Sequence, residues 1–163
     1  MSDSYNSDPK RELLRHTLAT VAYRGGKAVR NAPAGFGEFH ASEGVRTPGQ
    51  ILAHVGDLFD WALSLAKGER SWQDAKPQPW DQEVARFYAA LAKLDAYLAS
   101  GETLRTSAEK LFQGPVADAL THVGQITILR RMAGAAVKGE NYFAAEVTVG
   151  RVGAEQATPK REF

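Results

Sequence analysis

The chain has 163 residues, enough for one domain with a core of its own. Its 20 basic and 19 acidic side chains are scattered and leave a formal net charge of +1, which argues against a dedicated nucleic-acid face. There is no cysteine, so disulfides, zinc fingers, iron–sulfur clusters and a cysteine nucleophile are excluded; the absence fits a reducing compartment.

The start, MSDSYNSDPKRE, is polar and lacks the apolar stretch of a secretory signal, and residues 1–7 read as a flexible tail. A first helix opens at Asp8-Pro9, a cap followed by proline at the first helical position. Its apolar face is Leu14, Leu18, Val21, Gly25 and Val29, and it ends near Asn31. Residues 31–46 then form a long loop anchored by Phe36 and Phe39. The second helix opens with Thr47-Pro48-Gly49-Gln50, a capping box, and runs to Lys67 with Gly68 as its terminator.

Residues 68–79 form a second long loop with Trp72, Pro77 and Pro79. A third helix follows, capped by Asp81, with Val84, Phe87, Leu91, Leu94 and Leu98 as its core stripe. A short helix fits within 103–112, and a fourth long one starts after Gly114-Pro115 and reaches Ala133-Gly134. From Tyr142 to Val152 a weak alternation allows one short strand or an extended arm lying on the bundle. Residues 154–163 read as a second flexible tail, so the domain spans 8–152. Four long amphipathic helices without a strand set predict an all-α four-helix bundle. No apolar run is long enough to cross a bilayer, and the default setting is cytoplasmic.

The chemistry-bearing residues sit on the second and fourth helices. Asp118, His122 and Gln125 fall within about 60° of one another at 100° per residue. Asp118 and His122 are i,i+4 neighbours, so both can reach one point beside the helix. Ala119 and Ile126 on one side, and Ile128 and Met132 on the other, predict that the pair faces inward. His54 lies at the centre of the second helix's apolar face, among Ile51, Leu58, Trp61 and Leu65. A buried polar ring needs a partner, and a metal ion shared by His54, Asp118 and His122 supplies one. The plainer alternative is a histidine bonded to a carboxylate, with Asp118 and His122 as an ordinary ion pair.

Around this trio, Asp57 is either a support for a metal ligand or a surface carboxylate. His16 is expected in solvent, His40 near the site mouth, and Trp61 in the core. Gly56 and Gly124 are expected to let the two ligand helices approach.

The segment TPGQILAHVGDLFDWAL, with the later DALTHVGQITILRRMAG, resembles the DinB/YfiT-like family of metal-dependent enzymes over roughly residues 8–135. The resemblance implies a four-helix bundle of up-down-down-up connectivity, often a homodimer. It also implies a metal site built from one second-helix histidine and an H-x-x-x-H pair before a Gly-Gln step. His54 and His122 match that pattern. Asp118 stands where the family has its other histidine, and a carboxylate shifts preference toward harder ions. The implied cofactors are a divalent metal ion (zinc, nickel, iron or manganese) and a low-molecular-weight thiol. The implied activity is a thiol-dependent S-transfer or a metal-dependent hydrolysis on a small molecule. The competing reading is a non-catalytic bundle or dimerisation module with a vestigial site.

Overall fold

Asp8 accepts a hydrogen bond from the Lys10 amide at 3.0 Å and so starts helix α1, Pro9–Val29. The computed structural model describes residues 8–163; the expected N-terminal tail lies outside the described residues. Helix α2, Pro48–Lys67, carries the full capping box. The Thr47 amide donates to Gln50 Oε1 at 2.9 Å and the Gln50 amide to Thr47 Oγ1 at 3.2 Å. It stops at Gly68, whose φ of 85° is the left-handed turn that glycine adopts without strain.

Helix α3 spans Trp80–Ala99 without a side-chain cap. Asp81, expected as its cap, instead lies inside the first turn, where its charge faces the positive end of the helix. A single turn α4, Ala108–Leu111, runs through a π-helical turn at Phe112–Val116 into α5, Ala117–Met132. Pro115 sits inside that wide turn because it has no amide hydrogen to give an ordinary α-helical bond.

The architecture is all-helical, with four long helices and no strand among the described residues. Helix α1 packs against α3 and α5, and α2 packs against the same two, so the ring order is α1–α3–α2–α5. Leu18, Val21, Leu52, Phe59, Phe87, Leu91, Leu94 and Ile126 fill the interior. Burial of such apolar surface is what holds a bundle of this size together. No described helix is long and apolar enough to cross a membrane.

The loop after α1 is pinned at both ends. Arg130 reaches across from α5 and donates to the carbonyls of Ala28 and Arg30, at 2.9 and 3.0 Å, satisfying the end of α1. Phe36 lies edge-on to Trp80, with ring centres 5.1 Å apart. At Gly49 a Cβ would stand 2.8 Å from the Gly37 carbonyl oxygen, so only glycine lets the loop seat on the start of α2.

Beyond Met132 the chain forms an irregular arm with one 3-10 turn at Tyr142–Ala144, not a strand. The expected tail 154–163 returns to the bundle. The Phe163 amide donates to the Gly139 carbonyl at 3.0 Å, and Lys27 Nζ lies 2.9 Å from both Glu140 Oε2 and Glu162 Oε2. The anchor is ionic, which is why a reading based on apolar residues missed it. Phe163, the one large apolar side chain there, is 85% exposed.

Candidate metal centre

Helices α2 and α5 are neighbours in the ring, and their facing residues bring His54, Asp118 and His122 together. His54 Nε2 lies 3.7 Å from Asp118 Oδ2, and His122 Nε2 lies 3.4 Å from Asp118 Oδ1. One ligand atom from each residue falls within 4.8 Å of the other two. Two donors ~2.1 Å from one ion stand ~3.0–3.4 Å apart for right-angle to tetrahedral geometry. The residues present therefore fit a small divalent ion with adjustments of about an ångström. His122 is 12% exposed at its side chain, His54 22% and Asp118 46%, so the site lies at the bundle wall, open on the carboxylate side.

Gln125, one turn beyond His122, bonds His122 Nδ1 through Oε1 at 2.8 Å. With a carbonyl oxygen as acceptor, Nδ1 carries the proton and Nε2 offers its lone pair toward Asp118. The His54 ring meets His122 edge-to-face at 4.9 Å and Trp72 at 5.7 Å. His54 is held below its ordinary value of 6.5, chiefly by burial, then by the charges of His122 and Arg46; Asp118 pulls the other way. The net effect keeps the imidazole neutral near pH 7, the form that ligates.

Trp72 belongs to the 68–79 loop, which hydrogen bonds along its length hold in place. The Ala75 amide donates to Asp57 at 3.1 Å, the Gln78 amide to Glu83 at 2.8 Å, and the Ser71 amide to Ser64 at 3.0 Å. Asp57 is therefore neither a surface carboxylate nor a partner of His54. It is buried, paired with Arg86 Nη2 at 2.6 Å, and bonded to the loop that carries Trp72. Trp61 is half-buried and meets Trp72 edge-on at 5.6 Å.

The two glycines do not act as expected. Gly56 makes room for the Arg86 guanidinium on α3, where a Cβ would come within 2.9 Å, and Gly124 faces open space. His16 is exposed, and His40 lines a separate cleft with Gln78 and Pro79. Ile128 and Met132 are exposed, so only one flank of the Asp118–His122 stripe turns inward.

A cleft of about 860 Å³ opens beside His122 and Gln125. Val45, Ile51, Ile128, Leu129 and Met132 give it an apolar wall, and Arg46 from the 31–46 loop supplies a cation. Reading the sequence missed Arg46 and the part played by Trp72. The available signal was that both belong to loops long enough to be functional.

Two imidazoles and one carboxylate are the donor set of catalytic zinc and iron(II) centres, which keep coordination positions for water or substrate. No protein-family model, curated protein or solved structure matches the chain.

Proposed function

We propose that the chain is a divalent-metal-dependent enzyme of the DinB/YfiT type, a thiol-dependent S-transferase acting on a small electrophile. The observation that supports this reading is the meeting of His54, Asp118 and His122 from two neighbouring helices at the edge of an open cleft. A bound divalent ion would lower the pKa of a thiol placed on it, or of a water in the hydrolytic variant. The chain's own residues do the rest. Gln125 orients His122, Trp72 backs His54, and the apolar wall beside them offers room for the substrate away from water. The up-down-down-up chain direction, a homodimer and a cytoplasmic setting belong to the same proposal. In favour of that chain direction, the 68–79 link runs back along α2, with Ala75 on Asp57 and Pro79 beside Gly49, and α2 and α3 then pair in parallel, Asp57 with Arg86 and Ala66 with Tyr97.

The test is thiol consumption by zinc- or manganese-loaded protein, with a panel of low-molecular-weight thiols and monobromobimane as the electrophile. The reading expects a metal-dependent acceleration with at least one thiol, lost on chelation and in His122→Ala, while helical circular dichroism is retained. Equal rates with loaded and metal-free protein across the panel would refute it. A second reading, a non-catalytic bundle with a vestigial site, draws on the half-exposed Asp118 in the position of a family histidine. Purified protein that binds no zinc or manganese yet stays folded and dimeric would favour it.

A further inference from the structure

The cleft beside the candidate metal centre is chemically lopsided. Its wall is apolar, and Val45, Ile128 and Met132 are exposed within it. Among the described residues no acidic side chain lines it, although Asp118 lies 3.4 Å from His122 at its edge. Its polar groups are Arg46, the amide of Gln125, the edge of His122 and the hydroxyls of Ser42 and Thr121. Arg46 is exposed and enters no ion pair among the described residues. Arg15 and Arg86 are paired with carboxylates, 2.9 Å from Asp95 and 2.6 Å from Asp57, whereas Arg46, like Arg70 and Arg131, meets none among the described residues; what sets Arg46 apart is its place in the lining of the cleft.

The backbone at Arg46 is fixed, and its exposed side chain is free to reach a ligand in the cleft. Arg46 stands next to Thr47, the cap of α2, on a loop anchored through Gly37 and Gly49. A free guanidinium in such a position is a fork for a carboxylate or similar anion. The volume lies within the range of small-molecule sites, where an apolar lining binds the body and a few polar groups fix the head.

From this juxtaposition we infer that the cleft takes a small organic anion with an apolar body, its carboxylate held by Arg46 and its chain along Val45, Ile128 and Met132. This names the substrate class of the proposed enzyme and rests on that reading for its catalytic meaning. The binding itself requires only Arg46 and the wall. Trp72 stands against His54 and is not part of the cleft's lining. Arg46 is then a specificity residue and not itself a metal ligand, although its charge acts on His54.

The experiment is calorimetric titration of octanoate, octanol and octylamine into the full chain, with and without one equivalent of zinc. Wild-type protein should bind octanoate at one site at least tenfold more tightly than octanol, and octylamine no better than octanol. Arg46→Gln should abolish that tenfold preference and leave octanol binding unchanged, while Arg46→Lys retains part of it. Equal binding of octanoate and octanol by wild type, or an unaltered preference in Arg46→Gln, would overturn the inference. The preference should persist in zinc-free protein, so a failure to bind zinc would remove the metal reading and leave this one standing. Zinc binding without an anion preference would do the reverse. A dimer that dissociates in Ile128→Asp would also overturn the inference, because the wall would then be a subunit face.

Discussion

Replacing Asp57 with alanine tests how the site is supported from behind. The carboxylate is buried, accepts Arg86 Nη2 at 2.6 Å and holds the Ala75 amide at 3.1 Å. Breaking a fully buried pair costs ~3–5 kcal/mol, because the remaining charge is left without a partner. Here Arg86 is 26% exposed and keeps Asp60 at 3.0 Å, so water and the second carboxylate recover part of that cost. A loss of about 2 kcal/mol from the pair and up to ~1 from the amide bond follows. For a chain of this length, that lowers the thermal midpoint by roughly 5–10 °C.

The loop consequence is separate from the stability loss. Without its Asp57 anchor, the 68–79 segment loosens and Trp72 leaves the His54 ring. Metal affinity should fall only a few-fold, because all three ligands sit on helices. Urea titration followed by circular dichroism measures the stability, and tryptophan emission should shift to the red. A change under ~0.5 kcal/mol with unaltered emission would show that Asp57 neither stabilises the fold nor holds the loop.

Two further outcomes follow from the centre. Because His54 is held below its ordinary value of 6.5, the unfolded chain binds the extra proton more readily. Metal-free protein should therefore lose stability as the pH falls from about 6.5, and urea midpoints at pH 7.5 and 5.5 should differ less in His54→Gln than in wild type. An equal pH dependence in both would mean that His54 is not held in its neutral form. Asp118→His replaces an anionic oxygen with a neutral nitrogen, so the variant should still bind one ion but move its preference from manganese toward zinc or nickel. Identical selectivity in competition titrations of both proteins would show that Asp118 is not a ligand.

Much of this arrangement was legible in the residues because it is local. The caps at Asp8, Thr47 with Gln50, and Gly68 each act within a few positions and set helix ends where expected. The i,i+4 spacing of Asp118 and His122 needed only helical geometry, and His54 on an apolar face pointed inward; that the two meet rests on the packing of α2 against α5, which the resemblance implied. The remainder depends on partners far apart in the chain. Lys27 meets Glu140 and Glu162 across 113 and 135 positions, and no local pattern marks those carboxylates as anchors for the chain end. Asp57 looked like a surface residue because its partner, Arg86, lies 29 positions away on another helix. Gly56 serves that same guanidinium and not the approach of the two ligand helices. Arg46 carried no motif; its meaning comes from the cleft that α2 and α5 form beside its loop.

The most direct test of the central claim is anomalous diffraction from crystals grown with zinc, measured on both sides of the metal's absorption edge. One strong peak per chain is expected, ~2.0–2.3 Å from Nε2 of His54, Nε2 of His122 and a carboxylate oxygen of Asp118. A zinc peak on other residues, or none at this trio in a well-ordered crystal, would contradict it.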